Sequence, residues 1–265
     1  MKIAACQMVS GTDKVENLRL IAGLAAEAAA EGAQVAVFPE FAMYDTPNLT
    51  AEFLGEAESL DGAFVTALRQ IARELGLVIV AGMHESIEGE DRAFNTLVAV
   101  RPDGELAGVY HKQHLYDAFG FKESDFIRPG ALSDPITVDV DGVRIGLLTC
   151  YDLRFPEASR RHADAGVHAL LYPAAWVPGP RKEDHWNTLA RARAIENTIY
   201  VVAVSQGPPT VGTGGSIIVD PMGLTLGELG EANGVIVSTI DPARVETVRG
   251  FNPSLANRRY AVAAA

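Results

Sequence analysis

Cysteine and positive charge are both scarce in this chain. Cys6 and Cys150 are the two cysteines in 265 residues, which excludes a disulfide framework and leaves no Cys-x-x-Cys pair for a metal or redox centre. Lys and Arg number 22 against 34 Asp and Glu, a formal net charge of −12. A nucleic-acid partner is not expected, because phosphate contacts need a basic face. Long apolar runs are missing too. The longest, around residues 199–204, is far shorter than the roughly 20 residues that span a bilayer. Met1-Lys2-Ile3 opens toward Gln7 without the apolar stretch of a signal peptide. These absences predict a cytoplasmic protein with no membrane partner.

Several catalytic signatures are absent as well. His111 and His114 lie close together, but no His-Glu-x-x-His and no third ligand accompany them, so no metal is expected. No Gly-x-Ser-x-Gly marks a serine nucleophile elbow. Gly212-Thr213-Gly214-Gly215-Ser216 lacks the third glycine of a dinucleotide fingerprint and leads into a strand, where a phosphate-binding helix should begin. No Walker lysine follows a glycine run. No cofactor is expected.

What is present describes a folded globular chain, 48% hydrophobic and 21% charged. At this length an α/β chain often forms one domain, here residues 1–265, and buries about three quarters of the surface its unfolded form exposes. Residues 3–7 read as a strand. A helix follows, with Asp13 as N-cap, Glu16 as its capping-box partner, Gly32 as stop, and an apolar stripe of Val15, Leu18, Ala22, Ala25 and Ala29. Residues 35–38 form a strand ended by Pro39; a helix from Asp61 carries Phe64, Leu68, Ile71 and Leu75 and stops at Gly76; residues 77–81 form the next strand. Hairpins are predicted for 94–100 with 105–110, for 136–140 with 143–149 around Asp141-Gly142, and around Pro221-Met222-Gly223. Helices near 157–165 and 183–197 alternate with strands at 169–172 and 199–204. Strand and helix alternating in each half indicate an α/β fold with two mixed sheets packed face to face.

Three ionisable residues stand just past predicted strands, where ligand sites form in α/β sheets. They are Glu40, Lys112 and Cys150. Taken singly, each has an ordinary reading: a lone cysteine is usually a small buried hydrophobe, and a lone Glu or Lys is usually solvated. Spacing alone does not join them.

Local sequence does. Phe38-Pro39-Glu40, Tyr110-His111-Lys112-Gln113-His114-Leu115 and Cys150-Tyr151-Asp152-Leu153-Arg154-Phe155-Pro156-Glu157 together resemble the nitrilase superfamily of carbon–nitrogen hydrolases. The likeness extends through Tyr172-Pro173-Ala174-Ala175-Trp176, the stretch from His185-Trp186 to Asn197, and Asp220-Pro221-Met222-Gly223. It implies a four-layer α-β-β-α sandwich, a homodimer or larger homo-oligomer, and a Glu–Lys–Cys triad. Glu40 would be the general base, Lys112 the electrostatic stabiliser and Cys150 the nucleophile, with Glu123 matching a second glutamate of the family. His114-Leu115-Tyr116-Asp117 and Phe121-Lys122-Glu123-Ser124 look like the branch holding omega-amidases and deaminated-glutathione amidases. Two departures bear on the pocket rim: the stretch 179–184 is longer than in those amidases, and Gly215 stands before Ser216 where they usually carry histidine.

Amide hydrolysis needs a nucleophile, a proton shuttle and donors for the developing oxyanion. A thiol supplies the first, an adjacent carboxylate the second, and Lys112 with the Tyr151 backbone N–H the third. Glu123 either orients groups or transfers a proton. Arg154 either pairs with a substrate carboxylate or forms a salt bridge with Asp152 or Glu157. Tyr44 and Trp176 either line the pocket or fill the core. Asp152 is expected to cap the helix near Pro156, and Cys6 to be inert. The expected activity is hydrolysis of a small linear amide, the terminal amide of a carboxylate-bearing metabolite, through a thioester. A nitrile or N-carbamoyl amino acid hydrolase and a silent metabolite-binding scaffold are the alternatives.

Overall fold

A computed structural model describes residues 1–208 and 212–263. In chain order it contains β1 (Lys2–Gln7), α1 (Lys14–Ala30), β2 (Val35–Val37), α2 (Ala51–Gly55), α3 (Ala63–Leu75), β3 (Val78–Ser86), β4 (Ala93–Val100) and β5 (Leu106–His111). Then come β6 (Thr137–Val140), β7 (Val143–Leu147), α4 (Pro156–Asp164), β8 (Ala169–Ala174), α5 (Lys182–Asn197), β9 (Tyr200–Ser205), β10 (Ile217–Val219) and β11 (Thr225–Glu228). The chain ends with β12 (Gly234–Thr239) and α6 (Pro242–Phe251).

The strands form two six-stranded sheets, ordered β12-β1-β2-β3-β4-β5 and β11-β10-β9-β8-β7-β6. Each has a parallel centre and antiparallel flanks: β1–β2–β3 in one and β7–β8–β9 in the other. Strand alternation builds the layers. Along β1 to β4, Ile3, Ala5, Val35, Val37, Val78, Val80, Leu97 and Ala99 share one core with Ile145, Leu147 and Ala169 of the facing sheet. Their neighbours Ala4, Cys6, Ala36, Ile79, Ala81, Val98 and Val100 point the other way, onto Ile21 and Leu24 of α1 and Phe64 and Leu68 of α3. Ala158 of α4 and Trp186, Ala190 and Ala194 of α5 cover the second sheet. The result is the two face-to-face mixed sheets that the alternation of elements predicts, layered as the α-β-β-α sandwich that the family resemblance implies.

Short-range signals place their elements well. Gly76 adopts a left-handed conformation (φ 65°) to end α3, and Asp141 and Gly142, both at positive φ (46° and 76°), make the tight turn joining β6 to β7. Helix α1 differs from its expected phase. Asp13 caps it through the Val15 and Glu16 N–H groups, but Glu16 pairs with Arg19 and Val15 is 60% exposed. The buried face is Asn17, Ile21, Leu24, Ala25 and Ala28. An alanine-rich helix has little apolar contrast. The Asn17 amide, bonded to Gly11 and Met43, fixes the rotation that hydrophobicity leaves open. No described helix is long and apolar enough to cross a membrane.

Candidate active site

Three strand ends of the two sheets and one loop converge. β2 gives way to Pro39-Glu40, and the turn rides directly on Gly82 of β3. A Cβ there would sit 2.6 Å from the Glu40 Cα and 2.7 Å from the Phe41 nitrogen, so only glycine admits the close approach. Past β5, the Lys112 N–H donates to the Asn95 carbonyl (2.9 Å), which keeps its side chain directed inward. Glu123 opens a 3-10 turn (Glu123–Asp125) in the loop that follows. After β7 the chain enters a second 3-10 helix (Cys150–Arg154) with Cys150 at φ 44°. A non-glycine residue in that region is strained, and strain of this kind is characteristic of nucleophile turns.

Asp152 holds this turn in place. Its carboxylate accepts from the Thr149 N–H (2.9 Å), the Tyr110 hydroxyl (2.7 Å) and the His114 N–H (3.2 Å), and the His114 ring lies 2.6 Å away. It does not cap the Pro156 helix, whose N-cap is Phe155 without a side-chain bond; the donors of the Cys150 turn and the β5 end reach it first. Burial and then the Asp152 charge push the Tyr110 phenol well above its ordinary pKa. Asp152→Ala strands several buried donors, each costing about 1–3 kcal/mol. We expect a loss of about 3 kcal/mol or more in chemical denaturation, and an unchanged midpoint would refute the clamp.

At the centre, Lys112 Nζ donates to Glu40 Oε1 (2.9 Å) and to both oxygens of Glu123 (3.1 and 2.9 Å). Asn95 Nδ2 bridges the same two carboxylates at 2.7 and 3.0 Å. The second Glu40 oxygen accepts the Ala175 N–H (2.7 Å), and the second Glu123 oxygen the Tyr116 N–H (2.6 Å). Lys112, Glu40 and Glu123 are each 2% exposed, so these charges are shielded from water and interact strongly. Burial works against the Lys112 ammonium, yet Glu123 and Glu40 outweigh it and hold its pKa well above the usual lysine range. For Cys150, burial and then the Glu40 charge push the thiol well up, and the Lys112 ammonium opposes them only in part.

The resting group is therefore a thiol, so a reaction with Cys150 as nucleophile would require proton transfer as the bond forms. A group with a raised pKa keeps its proton through the window in which a free thiol loses it. Alkylation of Cys150 by iodoacetamide should stay slow up to and beyond the ordinary thiol value of 9.0 and rise only above it. Cys6 is fully buried with its thiol pushed up by burial, and Cys150→Ala supplies the blank. A reactivity plateau near neutral pH would show an ion-paired thiolate instead.

These groups floor a cavity of about 280 Å³, at the small end of the range for small-molecule sites. Glu40, Lys112, Glu123, Cys150, Tyr151 and Trp176 all line it. The Tyr151 N–H follows Cys150 directly in the chain and has no backbone acceptor outside its own turn among the described residues.

Two residues expected near substrate lie elsewhere. Tyr44 is 3% exposed and packs against Phe53 and His84, away from the cavity. Its ring joins the aromatic cluster under the Phe41 turn, and core packing wins. Arg154 is not on the cavity wall either, nor paired with Asp152 or Glu157. Its guanidinium lies over Trp176 at 4.9 Å, with Nη2 3.4 Å from His185 Nδ1. Asp152 is already saturated by backbone and hydroxyl donors, so it does not draw Arg154 in.

Sequence reasoning missed Asn95 and Lys182. Asn95 is a polar residue inside an apolar strand, a signal that was present. Lys182 sits in the polar stretch 179–184 and looks solvated, yet it is 3% exposed and on the cavity wall. His111 and His114 pair with Glu85 and Asp152, and no group of three His, Cys, Asp or Glu fit for a metal ion occurs among the described residues.

A family model, carbon–nitrogen hydrolase, matches residues 2–250. The chain belongs to the carbon–nitrogen hydrolase family. Among relatives of this hydrolase, a Mycobacterium tuberculosis protein described as a hydrolase is 39% identical across 94% of this chain and 92% of its own. Deaminated glutathione amidase from Escherichia coli O157:H7 is 37% identical, covering 98% of each. The NitFhit protein of C. elegans superposes with a TM-score of 0.91 at 30% identity, over 98% of this chain and 66% of that longer one.

Proposed function

We propose that this hydrolase cleaves the terminal amide of a small carboxylate-bearing metabolite through a thioester on Cys150. The observation that carries the reading is the buried Glu40–Lys112–Glu123 chain facing a strained cysteine on the floor of a small cavity. The Cys150 sulfur attacks the amide carbon while its proton passes to Glu40. The oxygen gathers negative charge against the Lys112 ammonium and the Tyr151 N–H, donors of a kind worth about 3–4 kcal/mol each elsewhere. The C–N bond breaks, Glu40 protonates the nitrogen and ammonia leaves. Water then attacks the thioester, giving its proton to Glu40; the C–S bond breaks, the carboxylic acid departs and the thiol is restored.

Glu123 grips Lys112 with both oxygens and also takes the Tyr116 N–H, which suits a group that orients the lysine. Side chains and backbone supply every group the scheme uses. In this reading residues 1–265 act as one catalytic domain in the cytoplasm, as a homodimer or larger homo-oligomer that light scattering would size.

Ammonia release from a panel of amides, nitriles and N-carbamoyl amino acids tests the reading. Turnover of amides is the expected result. Turnover of nitriles or N-carbamoyl compounds alone would reassign the activity within the family, and no turnover with no acyl adduct by intact mass would favour a silent binding protein.

A further inference from the structure

Lys182 Nζ is buried on the cavity wall, where its one hydrogen bond goes to the neutral Tyr116 hydroxyl (2.9 Å). The rings of Tyr116, Phe119 and Trp176 surround it at 4.6, 4.9 and 5.0 Å. Among the described residues no carboxylate lies within salt-bridge distance of it. We propose that Lys182 determines substrate specificity by pairing with a carboxylate at the end of the substrate remote from the scissile amide. The proposal rests on the amidase reading above and assigns that reading its anion anchor.

The charges of the cavity point the same way. Glu40 and Glu123 are both taken by Lys112. The third acid on the wall, Asp45, is pushed well up by burial and by the Glu40 charge, toward its neutral form. Lys182 is left as the cation without a counter-ion. Aromatic faces and a phenol return only part of what an ammonium loses with its water. Burial accordingly pulls the Lys182 pKa down, and the Arg154 guanidinium adds to the fall. An incoming carboxylate completes the site, with two ammonium protons still free to donate. A neutral substrate leaves it incomplete, and unpaired buried groups are how such sites reject analogues. The small cavity limits the spacer between amide and carboxylate to a short linear chain.

The test compares ammonia release from succinamate and glutaramate with release from the corresponding diamides, in which an uncharged carboxamide of the same shape replaces the carboxylate. In Lys182→Met the preference for the charged amide, as a ratio of kcat/KM values, should fall about 10- to 100-fold through KM. Lys182→Arg should recover part of it. If Lys182→Met does not fold, Lys182→Gln carries the comparison. In parallel, glutarate is titrated by calorimetry into Cys150→Ala, with and without Lys182→Met, and should bind about 10- to 100-fold more weakly without the lysine. Glutarate binding indifferent to Lys182, or a ratio lost in Arg154→Gln and kept in Lys182→Met, overturns the proposal while amide turnover still stands. Lys182-dependent glutarate binding in a protein that hydrolyses no amide would sink the amidase reading and leave the anion site.

Discussion

Cys150→Ala is expected to remove ammonia release altogether while leaving the fold almost untouched. The kinetic side follows from the proposed thioester route: without sulfur no covalent intermediate forms, and loss of a nucleophile in comparable enzymes costs of order 10⁶ in kcat. The stability side follows from what the substitution leaves in place. The Lys112 bonds to Glu40 and Glu123 do not pass through the sulfur, and Asp152 grips the turn through backbone and neighbouring side chains. Alanine inherits the φ of 44° and loses one buried atom, a change of about 1 kcal/mol or less. Stopped turnover, no acyl adduct by intact mass and a thermal midpoint within a few degrees of the parent are the joint result. A folded variant that still releases ammonia would remove Cys150 from the reaction, and a collapse of the midpoint would make the cysteine a packing residue.

Glu40, Lys112, Glu123 and Cys150 were legible in sequence by resemblance, not by spacing, since nothing in a linear chain says that distant strand ends meet. Turns and caps were legible from local chemistry: Asp13, Gly76 and Asp141-Gly142 each act within a few residues of themselves. What stayed hidden depends on partners far along the chain. The last strand, β12, pairs with β1 across nearly the whole sequence, and its half-buried run carried no strong pattern. Asn17 sets the rotation of α1 through Gly11 and Met43, bonds that a hydrophobic stripe cannot encode. Arg154, close after Cys150 in the chain, reads equally as an anion ligand or a salt-bridge partner of Asp152 or Glu157, but its turn directs it over Trp176. Lys182, in a run of charged residues at the start of α5, looked solvated; a cage of three rings that only the fold assembles encloses it.

Lys112→Met should damage the protein in two ways that separate experimentally. In the proposed scheme the catalytic loss is that of an oxyanion donor, about 10²- to 10³-fold in kcat. The structural loss is larger in kind, because methionine fills the lysine's volume but leaves Glu40 and Glu123 facing each other with Asn95 as their shared donor. Removing one partner from a buried ionic group costs about 3–5 kcal/mol, a large fraction of ordinary stability. At about 2–4 °C per kcal/mol for chains near this size, a fall of roughly 10 °C in the thermal midpoint is expected. Pairing Lys112→Met with Glu123→Gln removes the repulsion directly and should return much of the midpoint without returning turnover. If the single variant melts like the parent, the three groups do not share the buried network described here.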